Sequence, residues 1–416
     1  MDITFNGGSA RGTVKVPPSK SYTHRAIIMA ALSGGKCRIS NPLISFDTMA
    51  TADAVRSMGA SVEKVGEELI IESSSLHAPD GTIDVLNSGT TMRLMTGISA
   101  LFDSEITITG DESIRKRPMG PLLEALEACG VQCDSNGGKA PITIKGPVTE
   151  NEIMIDGSMS SQFVSSMLMM APLVGRPMDV IIEGRAVSRP YIDITLSMMK
   201  RFGAKVEEKD GRFHIEAQRY RPCDFTVPSD FSSAAFPLVA GGLSGEVSVS
   251  GLDMNDPQGD KKIVDILRTV GCGIKVENDT ITCSSNGRPK AADIDISNVP
   301  DLFPILAVLM STADGRSRLY GAPQLRFKES DRIESVERML GTLGADITGT
   351  DDGCIIEGVP RLKGGRIDHL GDHRLMMAAS IASLISDGPV SMVDDSCWNV
   401  SYPGFVEQMR SIGLRC

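Results

Sequence analysis

Aromatic residues are scarce in this 416-residue chain, where one Trp, 5 Tyr and 12 Phe make up 4% of the total. With 22 Met and many small aliphatic residues, the core is expected to rest on tight, adaptable aliphatic packing. An excess of basic charge is also lacking. The net charge of −11 argues against a nucleic-acid or anionic-membrane surface, which would need a basic face. Paired cysteines are missing too: nine stand as singles, and the closest two, Cys129 and Cys133, are split by Gly130. That pattern excludes a disulfide framework and fits a reducing compartment. The first residues carry neither a basic nor an apolar leader segment. The longest apolar stretches, 164–174 and 302–310, are too short to span a bilayer. A soluble, cytoplasmic protein is expected.

Several catalytic signatures are absent as well. No Walker A sequence, GxGxxG, GxSxG, HExxH, CxxC or Asp-rich loop occurs. His369 and His373 have i, i+4 spacing, but Gly371 between them breaks the helix that would align them on a metal. The expectation is a site without metal or cofactor.

What is present is a repeat. Gly59, Gly130, Gly203, Gly271, Gly344 and Gly413 recur at intervals of 71, 73, 68, 73 and 69 residues, each closing an amphipathic helical stretch and preceding a β-prone segment. Leu122, Leu126 and Cys129 show the i, i+4, i+7 spacing, as do Ile192, Leu196 and Met199. After the glycines, Ala204-Lys205-Val206-Glu207 and Ala345-Asp346-Ile347-Thr348 read as half-exposed strands. Upstream of each glycine lies a second helix, apolar on nearly every face, as in 26–32, 167–173, 304–310 and 375–384. Such a helix is a buried one. Three units could bury three internal helices in one globule, so six units make two. A linear solenoid fits less well, because a 70-residue unit exceeds most solenoid repeats. The expected boundary lies near Thr226-Val227-Pro228-Ser229, with residues 1–15 joining the second globule: domain 1 covers 16–227, and domain 2 covers 1–15 and 228–416.

The buried helices open on polar residues. Pro18-Ser19-Lys20-Ser21-Tyr22-Thr23-His24-Arg25 places two cations and several hydroxyls where an apolar helix begins, a costly arrangement unless a partner such as phosphate or carboxylate satisfies them. Asn87-Ser88-Gly89-Thr90 and Ser160-Ser161-Gln162 open two more, and a glycine there lets backbone amides approach an anion. Simple N-capping is the plainer explanation for an isolated Ser88 or Ser232. Arg117, Arg332 and Arg374 flank buried elements and suit bidentate binding of phosphate or carboxylate. Asp301, Glu329 and Asp331 lie among cations, a setting that tunes acid–base groups. For Asp301 the plain alternative is an N-cap.

These motifs, Pro-Ser-Lys-Ser…Arg at 18–25, Asn-Ser-Gly-Thr…Arg at 87–93, Arg-Pro at 117–118, Ser-Ser-Gln at 160–162, Pro-Asp at 300–301, Lys-Glu-Ser-Asp-Arg at 328–332 and Asp-His-Arg at 372–374, occur in an order that resembles the enolpyruvyl transferase family of 5-enolpyruvylshikimate-3-phosphate synthases. The resemblance covers essentially the whole chain. It implies an α/β (α+β type) fold of two pseudo-three-fold domains, each of three βαβαββ units with buried helices, an inside-out α/β barrel closing on its substrates. It also implies transfer of the carboxyvinyl group of phosphoenolpyruvate to the 5-hydroxyl of 3-phosphoshikimate through a tetrahedral intermediate, with release of phosphate. Its implied 3-phosphoshikimate contacts are Lys20, Ser21, Arg25, Ser160, Ser161, Gln162, Ser188, Asp301, Gln324 and Lys328. Those for phosphoenolpyruvate are Lys20, Gly89, Arg117, Gln162, Arg332 and Arg374. Asp301, Glu329 and Lys20 would be catalytic: Asp301 accepts the hydroxyl proton and Glu329 shuttles one to the methylene. No cofactor, nucleic acid or membrane is implied, and the chain would act as a monomer in aromatic amino-acid biosynthesis.

Three positions depart from the family's usual pattern. Val400 stands where many members carry a lysine, Gln324 where asparagine is common, and Leu94 where some have proline. The sister transferase acting on UDP-N-acetylglucosamine carries a cysteine where Glu112 stands here. A non-catalytic phospholigand-binding repeat protein would not need Asp301 and Glu329 among cations.

Overall fold

The structure, a computed structural model, describes residues 2–416. The chain divides into two compact units: Pro18–Val227, and the residues up to Pro17 together with Pro228–Cys416. Each unit has its own hydrophobic core.

Among the described residues, twelve α-helices form six pairs. They are α1 (Lys20–Leu32) with α2 (Phe46–Ser57), α3 (Gly89–Ser99) with α4 (Gly120–Ala128), and α5 (Ser161–Met170) with α6 (Arg189–Arg201). The other unit holds α7 (Phe231–Ser244) with α8 (Ile263–Thr269), α9 (Phe303–Ser311) with α10 (Arg332–Thr342), and α11 (His373–Ala382) with α12 (Phe405–Ser411). The first helix of each pair is buried along nearly its whole length, as the apolar sequences require; every residue of α9 and α11 is buried. The second helix buries one face only.

Strands interleave with the helices in a βαβαββ order. In the repeat of α3 and α4, Ile83–Asp84 runs parallel to Ile106–Thr109, which pairs antiparallel with Ile142–Lys145, itself antiparallel to Gln132–Ser135. Five four-stranded sheets share this arrangement. Two of them exchange their first strands. Arg11–Lys15, just before α1, pairs with Glu246–Ser250 in the repeat of α7, whereas Phe225–Thr226, near the start of α7, pairs with Lys36–Ser40 in the repeat of α1. The sixth sheet takes the N-terminal strand Asp2–Phe5 against Val390–Val393, and a bridge between Gly8 and Leu414 stands where the third strand would lie. The six sheets are separate rather than joined into one closed barrel.

The six repeat glycines all adopt positive φ, from 81° to 104°, where an L side chain is disfavoured. Each N–H donates to the carbonyl three residues back, and the next N–H reaches five back, as in Gly130 to Glu127 and Val131 to Leu126. This is a Schellman stop; it turns the chain into the following strand five times, and after Gly413 into the isolated bridge at Leu414. The strand after Gly344, Asp346–Gly349, lies one residue on from the expected segment. After Gly203 the expectation fails for most of its length: residues 204–206 are irregular, and the strand is Glu207–Lys209. In α5 the helix stops at Met170 and continues as a 3-10 turn, Ala171–Leu173, because Pro172 brings no N–H to an α-helical bond.

The corner leading into the buried helices also repeats. Asp84, Asp156, Asp295 and Asp368 each accept the N–H of the residue two further on, at 2.9, 2.8, 2.9 and 2.9 Å. These turns fix the direction in which each following helix starts.

Candidate active site

In the Pro18–Val227 unit, cations converge on helix first turns. Lys20 begins α1, and its Nζ pairs with Asp47 Oδ2 at 3.0 Å. Ser19 precedes the helix without capping it by its side chain. One turn on, Arg25 is 1% exposed. Its guanidinium donates to Thr195 Oγ1 (2.7 Å), Ser165 Oγ (3.2 Å) and the carbonyls of Ser21 (2.9 Å) and Tyr191 (3.3 Å). All four partners are neutral, and burial lowers the Arg25 pKa to about 10, against smaller raising contributions from Tyr191 and Tyr22. A buried cation held this way calls for an anionic ligand.

The adjoining helices add two arginines. Ser88 caps α3 by accepting the Thr91 N–H at 3.2 Å. Gly89 follows, so close to Arg117 that a Cβ there would collide with its Nη1. Of the basic run Arg115-Lys116-Arg117, only Arg117 is buried; the other two side chains are exposed. Arg93 Nη1 donates to Gln162 Oε1 at 2.8 Å, and Gln162 Nε2 donates to Thr90 Oγ1 at 3.0 Å, tying the first turns of α3 and α5 together. Ser160 caps α5 through the Gln162 N–H, and Ser161 is buried. Ser188 precedes α6 with φ of 55° and a buried side chain, yet caps nothing with it. Counting Lys20, Arg25, Arg93 and Arg117 against Asp47, this group carries three net positive charges.

In the other unit the pattern differs, because carboxylates answer the cations. Asp301 lies in a 3-10 turn, Pro300–Leu302, that runs into α9, and no side chain caps that turn. Its carboxylate instead bridges two arginines, with Oδ1 at 3.0 Å from Arg332 Nη1 and Oδ2 at 2.9 Å from Arg374 Nη2; Lys328 Nζ is 3.9 Å away. The N-cap explanation therefore falls. Burial alone would raise the Asp301 pKa, but Arg374, Lys328 and Arg332 outweigh it and hold the carboxyl far below the usual range. Arg332 is 1% exposed and also contacts Glu329 (2.6 Å) and Asp372 (2.9 Å). Burial would lower its pKa, yet Asp372, Glu329 and Asp301 raise it well above its ordinary value. Gln324 is buried, with Nε2 at 3.3 Å from the Ser297 carbonyl. Val400 ends a 3-10 turn, Cys397–Val400, that packs on α11.

Every residue expected from sequence thus lies at a helix first turn or on a segment beside one. Two were missed. Asp47 pairs with Lys20 across 27 residues, a relationship without a sequence period. Asp372 was visible only as the start of a motif, but it both caps α11 and binds Arg332. The histidine pair separates as its glycine required. His369 Nε2 lies 3.0 Å from the Val393 carbonyl and its Nδ1 accepts the Gly371 N–H at 3.1 Å. Asp395 and Cys397 place ligand-type atoms within 4.8 Å of it, but both ring nitrogens are already engaged.

A cation-rich group at buried helix starts in one unit, and a carboxylate clamped by two arginines in the other, suit an enzyme working on anionic substrates. The chain belongs to the EPSP synthase (3-phosphoshikimate 1-carboxyvinyltransferase) family, whose sequence profile spans residues 6–409. It is 45% identical to the 3-phosphoshikimate 1-carboxyvinyltransferase of Methanocorpusculum labreanum over 99% of both chains. It is 40% identical to the enzyme of that name from Methanocaldococcus jannaschii, over 97% of this chain and 96% of the other. An EPSP synthase structure from Acinetobacter baumannii superposes with a TM-score of 0.83 at 29% identity, covering 99% of this chain and 98% of that one. No helix among the described residues is long and apolar enough to cross a membrane.

Proposed function

We propose a division of roles for the carboxyvinyl transfer from phosphoenolpyruvate to the 5-hydroxyl of 3-phosphoshikimate. In the Pro18–Val227 unit, Arg25, whose partners are all neutral, takes a carboxylate or phosphate of 3-phosphoshikimate, with Lys20, Ser21, Ser160, Ser161, Gln162 and Ser188 completing its contacts. Gly89 and Arg117 offer an amide and a guanidinium to phosphoenolpyruvate, and Lys20 and Gln162 serve both substrates. In the other unit, Arg332 and Arg374 bind phosphoenolpyruvate, Lys328 and Gln324 bind 3-phosphoshikimate, and Asp301 is the base.

The observation that carries this reading is the Asp301 bridge between Arg332 and Arg374. While both arginines hold it, Asp301 is a poor base. Phosphoenolpyruvate brings its own carboxylate and phosphate to the same guanidinium groups. As they turn to the substrate, Asp301 loses the charges that depress its pKa and becomes able to take the 5-hydroxyl proton. The freed alkoxide oxygen attacks C2 of phosphoenolpyruvate while its methylene gains a proton, which Glu329 carries. The tetrahedral adduct then expels phosphate and returns a methyl proton to regenerate the vinyl group. Cations stabilise the charge that develops on the leaving phosphate. The nine free cysteines support a reducing, cytoplasmic setting, and the chain is taken to act as a monomer.

Phosphate release measured with each substrate alone and with both together tests the reading. Release is expected only with the pair; release with UDP-N-acetylglucosamine at an equal rate would overturn it.

A further inference from the structure

Helix α2 supplies no ligand contact in these roles, yet it joins two helix starts that do. Lys20 and His24 stand one turn apart on α1, as Asp47 and Thr51 do on α2, so each pair shares a helix face. The two faces meet in two rungs. Lys20 Nζ lies 3.0 Å from Asp47 Oδ2, and one turn on, His24 Nδ1 lies 2.6 Å from Thr51 Oγ1.

From Thr51 the contacts continue into α3. Its Oγ1 is 2.6 Å from Thr91 Oγ1, which lies 2.7 Å from Ser88 Oγ. Ser88 accepts the Thr91 N–H and so caps α3 just before Gly89. His24, Thr51, Thr91 and Ser88 are all 0% exposed. Burying such groups is costly unless each meets a partner, so a satisfied line of them fixes the helices that carry it.

The line has a consistent direction. Burial, then Lys20 and Arg25, hold the His24 pKa well below 6.5, which leaves Nδ1 able to accept a hydrogen bond. Ser88 then donates to Thr91, Thr91 to Thr51 and Thr51 to His24, and every hydroxyl in the line has an acceptor. The first turn of α1 has further support, because Arg25 has four partners and Thr23 Oγ1 accepts the Leu43 N–H at 3.0 Å. The first turn of α3 meets α2 through the Thr51 hydroxyl and, more weakly, through the Asp47 carbonyl at 3.4 Å from Thr91 Oγ1.

We propose that Thr51 is a positioning residue for the carboxyvinyl transfer: its hydroxyl, bonded on both sides, sets the Ser88-Gly89 turn of α3 against α1. The inference rests on Gly89 and Arg117 receiving phosphoenolpyruvate. Gly89 has no room for a Cβ beside the Arg117 guanidinium, so a shift of this turn disturbs the amide and the guanidinium together.

Steady-state kinetics with each substrate varied in turn, for wild type, Thr51→Val and Thr51→Ser, tests this. Thr51→Val keeps the shape of the side chain but loses the hydroxyl, and KM for phosphoenolpyruvate is expected to rise about tenfold. KM for 3-phosphoshikimate should move less, because the α1 turn keeps its other bonds. Thr51→Ser returns the hydroxyl and should bring KM for phosphoenolpyruvate back most of the way. An unmoved KM in Thr51→Val, equal changes for both substrates, or no recovery in Thr51→Ser overturns the proposal. Ser88→Ala cuts the line at its far end without touching α2, and should raise the same KM whether or not Thr51→Val folds; an unmoved value there also overturns the proposal. Gly89→Ala separates the two readings. An unmoved KM for phosphoenolpyruvate in Gly89→Ala sinks the placement of that substrate, whereas a raised one beside an unmoved Thr51→Val sinks the role of Thr51 alone.

Discussion

Arg332 Nε meets Asp372 Oδ2 at 2.9 Å, with the two side chains 1% and 0% exposed. Asp372 also accepts the backbone N–H of Arg374 at 2.9 Å, so one carboxylate both holds the Arg332 guanidinium and caps the helix that carries Arg374. Asp372→Ala leaves a buried guanidinium short of a partner and α11 uncapped. Urea unfolding is expected to show a loss of about 3–5 kcal/mol, while Asp372→Asn, which keeps the cap oxygen, loses less. Equal losses would show that the cap oxygen adds nothing beyond the lost charge.

Gly89 is a second point of pressure. A Cβ there runs into Arg117 Nη1 and comes within 3.6 Å of Arg93 Nη1. Gly89→Ala should push the Arg117 guanidinium off its position, raising KM for phosphoenolpyruvate about tenfold or more, the worth of roughly 1.4 kcal/mol. KM for 3-phosphoshikimate should move less. Steady-state kinetics with each substrate varied in turn checks this, and equal changes in both would contradict it.

Lys20 and Asp47 should prove unequal partners. Lys20→Ala removes the proposed ligand cation and leaves the Asp47 carboxylate, 7% exposed, without its ion-pair partner. Calorimetry is expected to show 3-phosphoshikimate affinity falling by about tenfold or more. Lys20→Ala with Asp47→Ala should recover stability, because the unpaired buried charge is gone, but not the affinity. Full recovery of affinity would argue against a direct role for Lys20.

His24 sets an acid limit on stability. It is fully buried, with Nδ1 at 2.6 Å from Thr51 Oγ1 and Nε2 without a partner. Burial, then Lys20 and Arg25, hold its pKa well below 6.5. Below pH 6.5 the unfolded chain binds a proton that the folded chain refuses. Stability from this group is therefore complete above 6.5 and falls as pH drops towards the folded pKa, at up to about 1.4 kcal/mol per pH unit. Urea unfolding at pH 7 and pH 5 should show a steeper loss in wild type than in His24→Gln; parallel losses would contradict it.

Much of this was legible in the sequence because it is periodic. The buried and half-buried helices follow from apolar spacing, and the six glycines from the left-handed turn they occupy. The cations at helix starts stood out because a polar group beside an apolar run needs a partner. What was not legible is pairing across the chain. Nothing near Asp47 points to Lys20, and nothing near Thr51 points to Thr91. The strand exchange between Arg11–Lys15 and Phe225–Thr226 is equally silent, since each strand looks alike whichever sheet it joins. The strand expected at 204–207 began late because alternation in Ala-Lys-Val-Glu fixes a face but not where pairing starts.

Asp301 is, in the proposed mechanism, a base held weak by Arg332 and Arg374 until phosphoenolpyruvate claims them. Single-turnover phosphate release by Asp301→Asn, measured beside binding of both substrates, tests this most directly. Binding is expected to stay within about threefold of wild type while turnover falls by about 10²–10⁴-fold. Turnover close to that of wild type, or a loss of binding that matches the loss of turnover, would contradict it.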